Sequence, residues 1–127
     1  MIRRYLLNTN KLLAAHGIRT LAKDDSSYNQ TNMIKPHSNW QGPVWPIASY
    51  FAMHALLNYG FRKEAGEIAE RVARVCLHDI KKTGGTHENY NADTGEPLAA
   101  PNFISWNLLV GSMIEQAKSG ANPFRIQ

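Results

Sequence analysis

No stretch of this chain limits its possible folds more than Asn39-Trp40-Gln41-Gly42-Pro43-Val44-Trp45-Pro46. Indoles, prolines, a glycine and side-chain amides crowd together there without a single charge. The prolines fix the backbone and the indoles need something to cover, so the segment is a poor flexible linker. Gly42, Pro43 and Pro46 each work against a helix interior. The segment therefore predicts a rigid, aromatic-walled turn that feeds directly into a helix, where Pro46 is tolerated because first-turn amides lack partners anyway.

That helix is expected from about Val44 to Tyr59, stopped by Gly60. Ile47, Ala48, Phe51, Ala52, Met53, Ala55, Leu56 and Leu57 leave it no polar face, the pattern of a helix covered on all sides. The next helix, about Arg62 to Lys82, is of the opposite kind. Ala65, Ile68, Ala69, Val72, Val75 and Cys76 make one apolar stripe, while Glu67 with Arg71 and Glu70 with Arg74 are spaced as exposed pairs. A polar loop follows from Thr83 to Asn102. A last helix, from about Ile104 to Lys118, is again apolar nearly all round through Trp106, Leu108, Leu109, Val110, Met113 and Ile114.

Upstream of the turn, Ile2 to about Ala15 reads as a first helix, with Ile2, Tyr5, Leu6, Leu12 and Leu13 on one side and Gly17 as its stop. Gly17 to Ser38 is then a long aperiodic connection carrying Asp24-Asp25-Ser26-Ser27 and Pro36. A loop of that length inside a compact domain is functional or poorly ordered. The fold class is accordingly all-α, with about four helices that alternate between buried and exposed as two concentric layers would. A chain of 127 residues cannot supply both layers in full. A larger all-helical body is the expected native context, and the chain alone is expected to expose an apolar patch and self-associate.

Charge and cysteine content narrow the function classes. The net charge of +4 comes from scattered pairs (Arg3-Arg4, Arg62-Lys63, Lys81-Lys82), not from the concentrated basic face that nucleic acid requires, so no nucleic-acid partner is expected. The lone Cys76 precludes an internal disulfide and fits a reducing, cytoplasmic compartment. Arg3-Arg4 is followed by too short an apolar run for a secretory signal. Pro36 to Phe61 lacks any charge, but its apolar part of about fourteen residues falls short of the roughly 20 needed to cross a bilayer. No membrane association is expected.

The second dense stretch is Gly84-Gly85-Thr86-His87-Glu88-Asn89-Tyr90-Asn91-Ala92-Asp93-Thr94-Gly95-Glu96-Pro97. His87-Glu88 opens like a zinc-protease helix motif, but Asn91 stands where the second histidine belongs. Gly95 is out of step with a calcium loop, and Asn91 to Gly95 reads as a tight turn held by Asx side chains. No metal and no other cofactor is expected. Glu88 lies between two glycines and Tyr90, a setting suited to a carboxylate that takes a proton from water. A lone tryptophan is ordinarily core, and one of Trp40 and Trp45 should be. Two in one rigid turn can also form a platform for the apolar face of a sugar ring, with Gln41 and Asn39 hydrogen-bonding its hydroxyls.

These residues carry a resemblance. Asn39 to Trp45 is similar to the aromatic–Trp–Arg/Gln–Gly–Pro–Ile/Val–Trp signature of glycoside hydrolase family 63, including its bacterial mannosylglycerate and glucosylglycerate hydrolase-like members. Glu88 to Glu96 resembles that family's Glu–x–Tyr–Asn/Asp–x–x–Thr–Gly block, and Phe103-Ile104-Ser105-Trp106 resembles the Phe–Ser–Trp that opens its last inner helix. Gly17 to Leu21, with Asp24-Asp25 and Tyr28, is similar to the loop preceding the signature, so the likeness covers nearly the whole chain.

The resemblance implies the C-terminal portion of an (α/α)6 barrel within an inverting α-glycosidase. In that setting Glu88 matches the general base, and Trp40, Gln41, Gly42, Trp45, Tyr90 and Trp106 belong to the sugar-binding wall. The partner carboxyl, the general acid, lies upstream of this region in the family, and neither Asp24 nor Asp25 matches it. The expected partners are a carbohydrate and either the remainder of the barrel or a second copy of the chain. With one carboxylate of a required pair, the isolated chain is expected to be inactive. The competing reading is a non-catalytic helical interaction fragment, or a piece of a trehalase-like glycosidase. No repeat period of thirty to forty residues is present to favour a repeat array.

Overall fold

The amphipathic stripe read from the sequence becomes the centre of the packing. The computed structural model describes residues 1–31 and 39–126. Three α-helices carry the core: α1 (Pro46–Asn58), α2 (Arg62–Thr83) and α3 (Val110–Ser119). Ala65, Ile68, Ala69, Val72, Val75 and Cys76 of α2 are buried against Met53 and Leu56 of α1 and Met113 and Ala117 of α3. Each of the larger side chains contributes about 1.5–3 kcal/mol by leaving water. Burial pushes the Cys76 thiol up to about 11, so it stays protonated and unreactive at neutral pH.

Two short antiparallel hairpins complete the described residues. β1 (Leu13–Ala14) pairs with β2 (Gly17–Ile18), and β3 (Asn89–Tyr90) pairs with β4 (Pro97–Ala99). They do not alter the class. The chain is all-α, with helical stretches at four places in the expected order, and no closed barrel forms among the described residues.

Three expectations are corrected by the structure. The first helix is only a single wide turn, Ile2–Leu6. Asn8 ends it: its side-chain oxygen accepts from the Asn10 amide at 2.9 Å, and its carbonyl accepts from Lys11 at 2.9 Å. Asn and Thr in succession offer the backbone these local bonds in place of helix continuation. Gly17 is then not a helix stop but part of β2 at φ +148°, where an added Cβ would lie 2.7 Å from Val44 and 2.8 Å from Ser49.

The second correction concerns α1, which starts at Pro46, because Val44 is taken up by isolated β-bridges to Arg19 and Tyr90. Third, the ion pair on the outer face of α2 is Lys63–Glu67 at 3.9 Å, while Arg71 turns inward to donate to the Ala14 carbonyl at 2.5 Å. The last helix begins as a tighter 3-10 turn, Ser105–Leu109, before α3. Of the long connection, residues 17–31 pack on the aromatic turn, whereas residues 32–38, Pro36 among them, lie outside the described residues.

Several large apolar side chains stand exposed. Phe51 on α1 is 51% exposed, and Ile104 and Leu108 near the 3-10 turn are 65% and 72% exposed. No helix is long and apolar enough to cross a membrane.

Candidate active site

The aromatic turn is held from behind by the segment that precedes it. Asn29 donates its amide to the Gln41 carbonyl at 2.7 Å, and the Asn39 side-chain amide donates to the Asn29 carbonyl at 2.9 Å. Thr20 accepts from the Gly42 amide at 3.2 Å and donates its hydroxyl to the Pro43 carbonyl at 3.0 Å. Gly42 sits at φ +155°, and an added Cβ would meet the Tyr28 ring at 2.8 Å. Only glycine allows that close approach.

Within the turn the indoles of Trp40 and Trp45 stack with centroids 3.8 Å apart at an interplanar angle of 24°. Trp45 is buried and donates its Nε1–H to the Asn39 carbonyl at 2.9 Å. Trp40 lies over it and is 48% exposed. One indole is thus core, as expected for one of the pair, and the other is half exposed at the surface. Trp106 adds a third ring 6.1 Å from Trp45, and Phe103 packs 4.8 Å from Trp106.

Val44 joins this turn to the second dense stretch. Its amide donates to the Tyr90 carbonyl at 2.9 Å, and the Tyr90 amide donates back to Val44 at 2.9 Å. The loop bearing Glu88 is fixed residue by residue around that point. The Glu88 amide donates to Ala99 at 3.0 Å, and Phe103 donates its amide to Thr86 at 2.8 Å. Asn107 donates its side-chain amide to the His87 carbonyl at 2.8 Å, which ties the 3-10 turn to the same loop. Glu88 itself is half-buried, and burial raises its carboxyl above the usual 4.5.

Of the residues singled out in the sequence, the structure therefore brings Trp40, Gln41, Gly42, Trp45, Glu88, Tyr90 and Trp106 into one region. Their placements differ. Trp40 is exposed, Gln41 and Trp106 half-buried, and Gly42 and Trp45 buried. Tyr90 is wholly buried, with its hydroxyl donating to Asp79 at 2.9 Å, so it lies beneath the loop. Among the described residues no group of three or more His, Cys, Asp or Glu is placed to hold a metal ion.

Residues 91–95 form the Asx turn read from the sequence: Asn91 Oδ1 accepts from the amides of Asp93 and Thr94, each at 3.0 Å, and Gly95 takes φ +77°. Asp93 has a structural task beyond it. It receives the buried Arg19 guanidinium at 2.9 Å, and Arg19 also reaches the carbonyls of Thr9, Lys11 and Leu13. This clamp ties the first hairpin to the Glu88 loop across 74 residues of sequence.

Sequence reasoning overlooked Asp79. It is 1% exposed, and its Oδ2 accepts from the His87 amide, the His87 Nδ1 and the Tyr90 hydroxyl, each at 2.9 Å, while its Oδ1 accepts from the Thr83 hydroxyl at 3.0 Å. Its position extends the apolar stripe by one more step, three beyond Cys76, and that spacing could have found it. Burial alone would raise the Asp79 carboxyl, but hydrogen bonds from His87, Tyr90 and Thr83 outweigh it and hold the group below its ordinary 3.8.

Comparison with known proteins identifies the family of the sequence. A family model described as the mannosylglycerate hydrolase MGH1-like glycoside hydrolase domain matches residues 2–106. A mannosylglycerate hydrolase of Rubrobacter radiotolerans is 36% identical over 78 residues, covering 60% of this chain and 16% of that protein. Alpha-glucosidase 2 of Arabidopsis thaliana is 25% identical over 112 residues, covering 81% of this chain and 14% of that protein. The chain thus spans only a small part of the length of these relatives.

Proposed function

Since the chain belongs to the mannosylglycerate hydrolase MGH1-like glycoside hydrolase family, we propose that it forms the C-terminal part of the catalytic domain of an inverting α-glycosidase. The substrate class is an α-glucoside or a mannosyl- or glucosylglycerate. In this reading Glu88 is the general base that takes a proton from the attacking water. A carboxyl from outside these 127 residues protonates the leaving oxygen on the opposite face of the sugar. Trp40 offers its face to the ring, Trp45 and Trp106 back it, and Gln41 bonds hydroxyls. Gly42 allows the close turn, and Tyr90 holds the base loop from beneath.

The observation that carries this reading is the reciprocal Val44–Tyr90 pair at 2.9 Å, which sets the aromatic turn and the Glu88 loop side by side. The raised Glu88 carboxyl fits a base whose affinity for a proton has been increased by burial. The exposed Phe51, Ile104 and Leu108 fit a surface that the remainder of an (α/α)6 barrel, or a second copy of the chain, would cover. We place the protein in the cytoplasm, where a buried free Cys76 stays reduced.

The test uses a protein carrying the whole catalytic domain. Glu88→Gln is expected to lower kcat at least 1,000-fold, on the order of 4 kcal/mol of barrier, with sugar binding nearly unchanged. Wild-type protein should release product of inverted anomeric configuration, read by NMR immediately after mixing. The isolated 127-residue chain should show no turnover, and robust hydrolysis of an α-glucoside by it would overturn the half-site reading. The same exposed apolar residues also favour a second reading, a non-catalytic piece that docks onto a helical partner. Full turnover by Glu88→Gln would favour it.

A further inference from the structure

We propose that Asp79, a residue outside the sugar wall and the base loop, is the positioning residue that fixes Glu88. The inference rests on the reading of Glu88 as the base and adds a device that the aromatic signature does not contain. Asp79 lies at the C-terminal end of α2, away from the charged outer face of that helix, and its side chain is 1% exposed. A carboxylate so buried is costly unless nearly every lone pair is engaged. Here it is engaged: Oδ2 receives the His87 amide, the His87 Nδ1–H and the Tyr90 hydroxyl, while Oδ1 receives Thr83.

The donors are what give this network a direction. His87 immediately precedes Glu88 and Tyr90 follows it by two positions, so one carboxylate grips the chain on both sides of the candidate base. The Tyr90 backbone is meanwhile spoken for by Val44 of the aromatic turn. Asp79 thereby references the base loop to α2, which packs against both α1 and α3, while Val44 references it to the sugar wall. The acceptor on Asp79 also requires the His87 imidazole to carry its proton on Nδ1. A general base displaced by about 1 Å loses on the order of 100-fold in rate, so a network of this kind acts on kcat while leaving the ring-stacking surface alone.

The experiment has two arms. In the 127-residue chain, 15N NMR should find His87 as the Nδ1–H tautomer. Asp79→Asn should speed amide exchange at His87, Glu88 and Tyr90 at least tenfold, with Met53 and Leu56 of α1 within threefold of wild type. Exchange that rises uniformly, or a His87 protonated only on Nε2, would overturn the proposal. In a protein with the whole catalytic domain, Asp79→Asn is expected to lower kcat 10- to 100-fold with KM within twofold, and the milder Tyr90→Phe about threefold to tenfold. Tyr90→Phe keeps the ring and serves if Asp79→Asn does not fold. If Glu88→Gln abolishes turnover but both variants keep wild-type kcat, positioning by Asp79 is wrong and the base assignment stands. If Glu88→Gln retains turnover, the base assignment fails and this inference falls with it.

Discussion

The aromatic turn and the Glu88 loop meet at Val44, yet they are held in place by different physics. The turn at residues 39–46 is redundant: two prolines restrict it, two indoles stack within it, and main-chain bonds to residues 20 and 29 brace it from behind. The loop at residues 84–97 is conditional on a few charged centres. Asp79 grips it near Glu88, and Arg19 grips it through Asp93. Under the proposed reading, the turn presents one flat face to a sugar ring, a task that tolerates redundancy. In the same reading, Glu88 must meet a water at one point, which calls for a small number of directional bonds and concentrates the risk of failure in single residues.

Substitutions can break this contrast, starting with the largest effect. Trp45→Ala removes a fully buried indole and its bond to Asn39. It should cost about 3–5 kcal/mol, measured by urea unfolding, and should loosen turn and core together. Asp79→Asn should cost less overall, about 2 kcal/mol, because only the loop depends on it. A loss as large as that of Trp45→Ala would show that the loop is as much part of the core as the turn. Trp40→Ala should cost about 1 kcal/mol or less in stability, since the ring is half exposed, while weakening sugar binding by about 1–3 kcal/mol in titration calorimetry of a protein with the whole catalytic domain.

The smallest expected effect is a pH dependence of opposite sign at the two carboxyls. The Glu88 carboxyl is raised above 4.5 by burial, so the folded state binds its proton more tightly than the unfolded chain does. Its ionisation subtracts stability as pH rises through that window, and Glu88→Gln should gain a little in Tm at pH 7 but not at pH 4. Asp79 is held below 3.8, so its contribution is full above that value and is lost as pH falls through the lower folded value. Thermal scans of Asp79→Asn and wild type should therefore converge at low pH. Convergence at high pH instead would reverse the assignment for Asp79.

The sequence made the turn and the stripe of α2 legible because each rests on local rules. Proline and glycine act at their own positions, and helical periodicity sorts buried from exposed side chains within one element. Asp79 was legible in principle, since it continues the stripe at helical spacing, but a carboxylate on an apolar face reads as an exposed exception until its donors are known. Arg19 offered no such cue, because its partner Asp93 lies 74 residues away. The first helix stops early for a local reason: the Asn8 side chain accepts from the Asn10 amide and donates to the Arg4 carbonyl.

Sequence alone therefore determined that this chain is helical, that α1 must be covered on more than one side, and that an aromatic turn heads it. Short-range sterics and amphipathic periodicity suffice for those points. Tertiary structure alone decided that Val44 would bridge to Tyr90, that Trp40 would be the exposed ring and Trp45 the buried one, and that one buried carboxylate would hold the chain on both sides of Glu88. Those outcomes depend on which distant groups share a buried space, where hydrogen bonds must be completed, and no local rule specifies the partner.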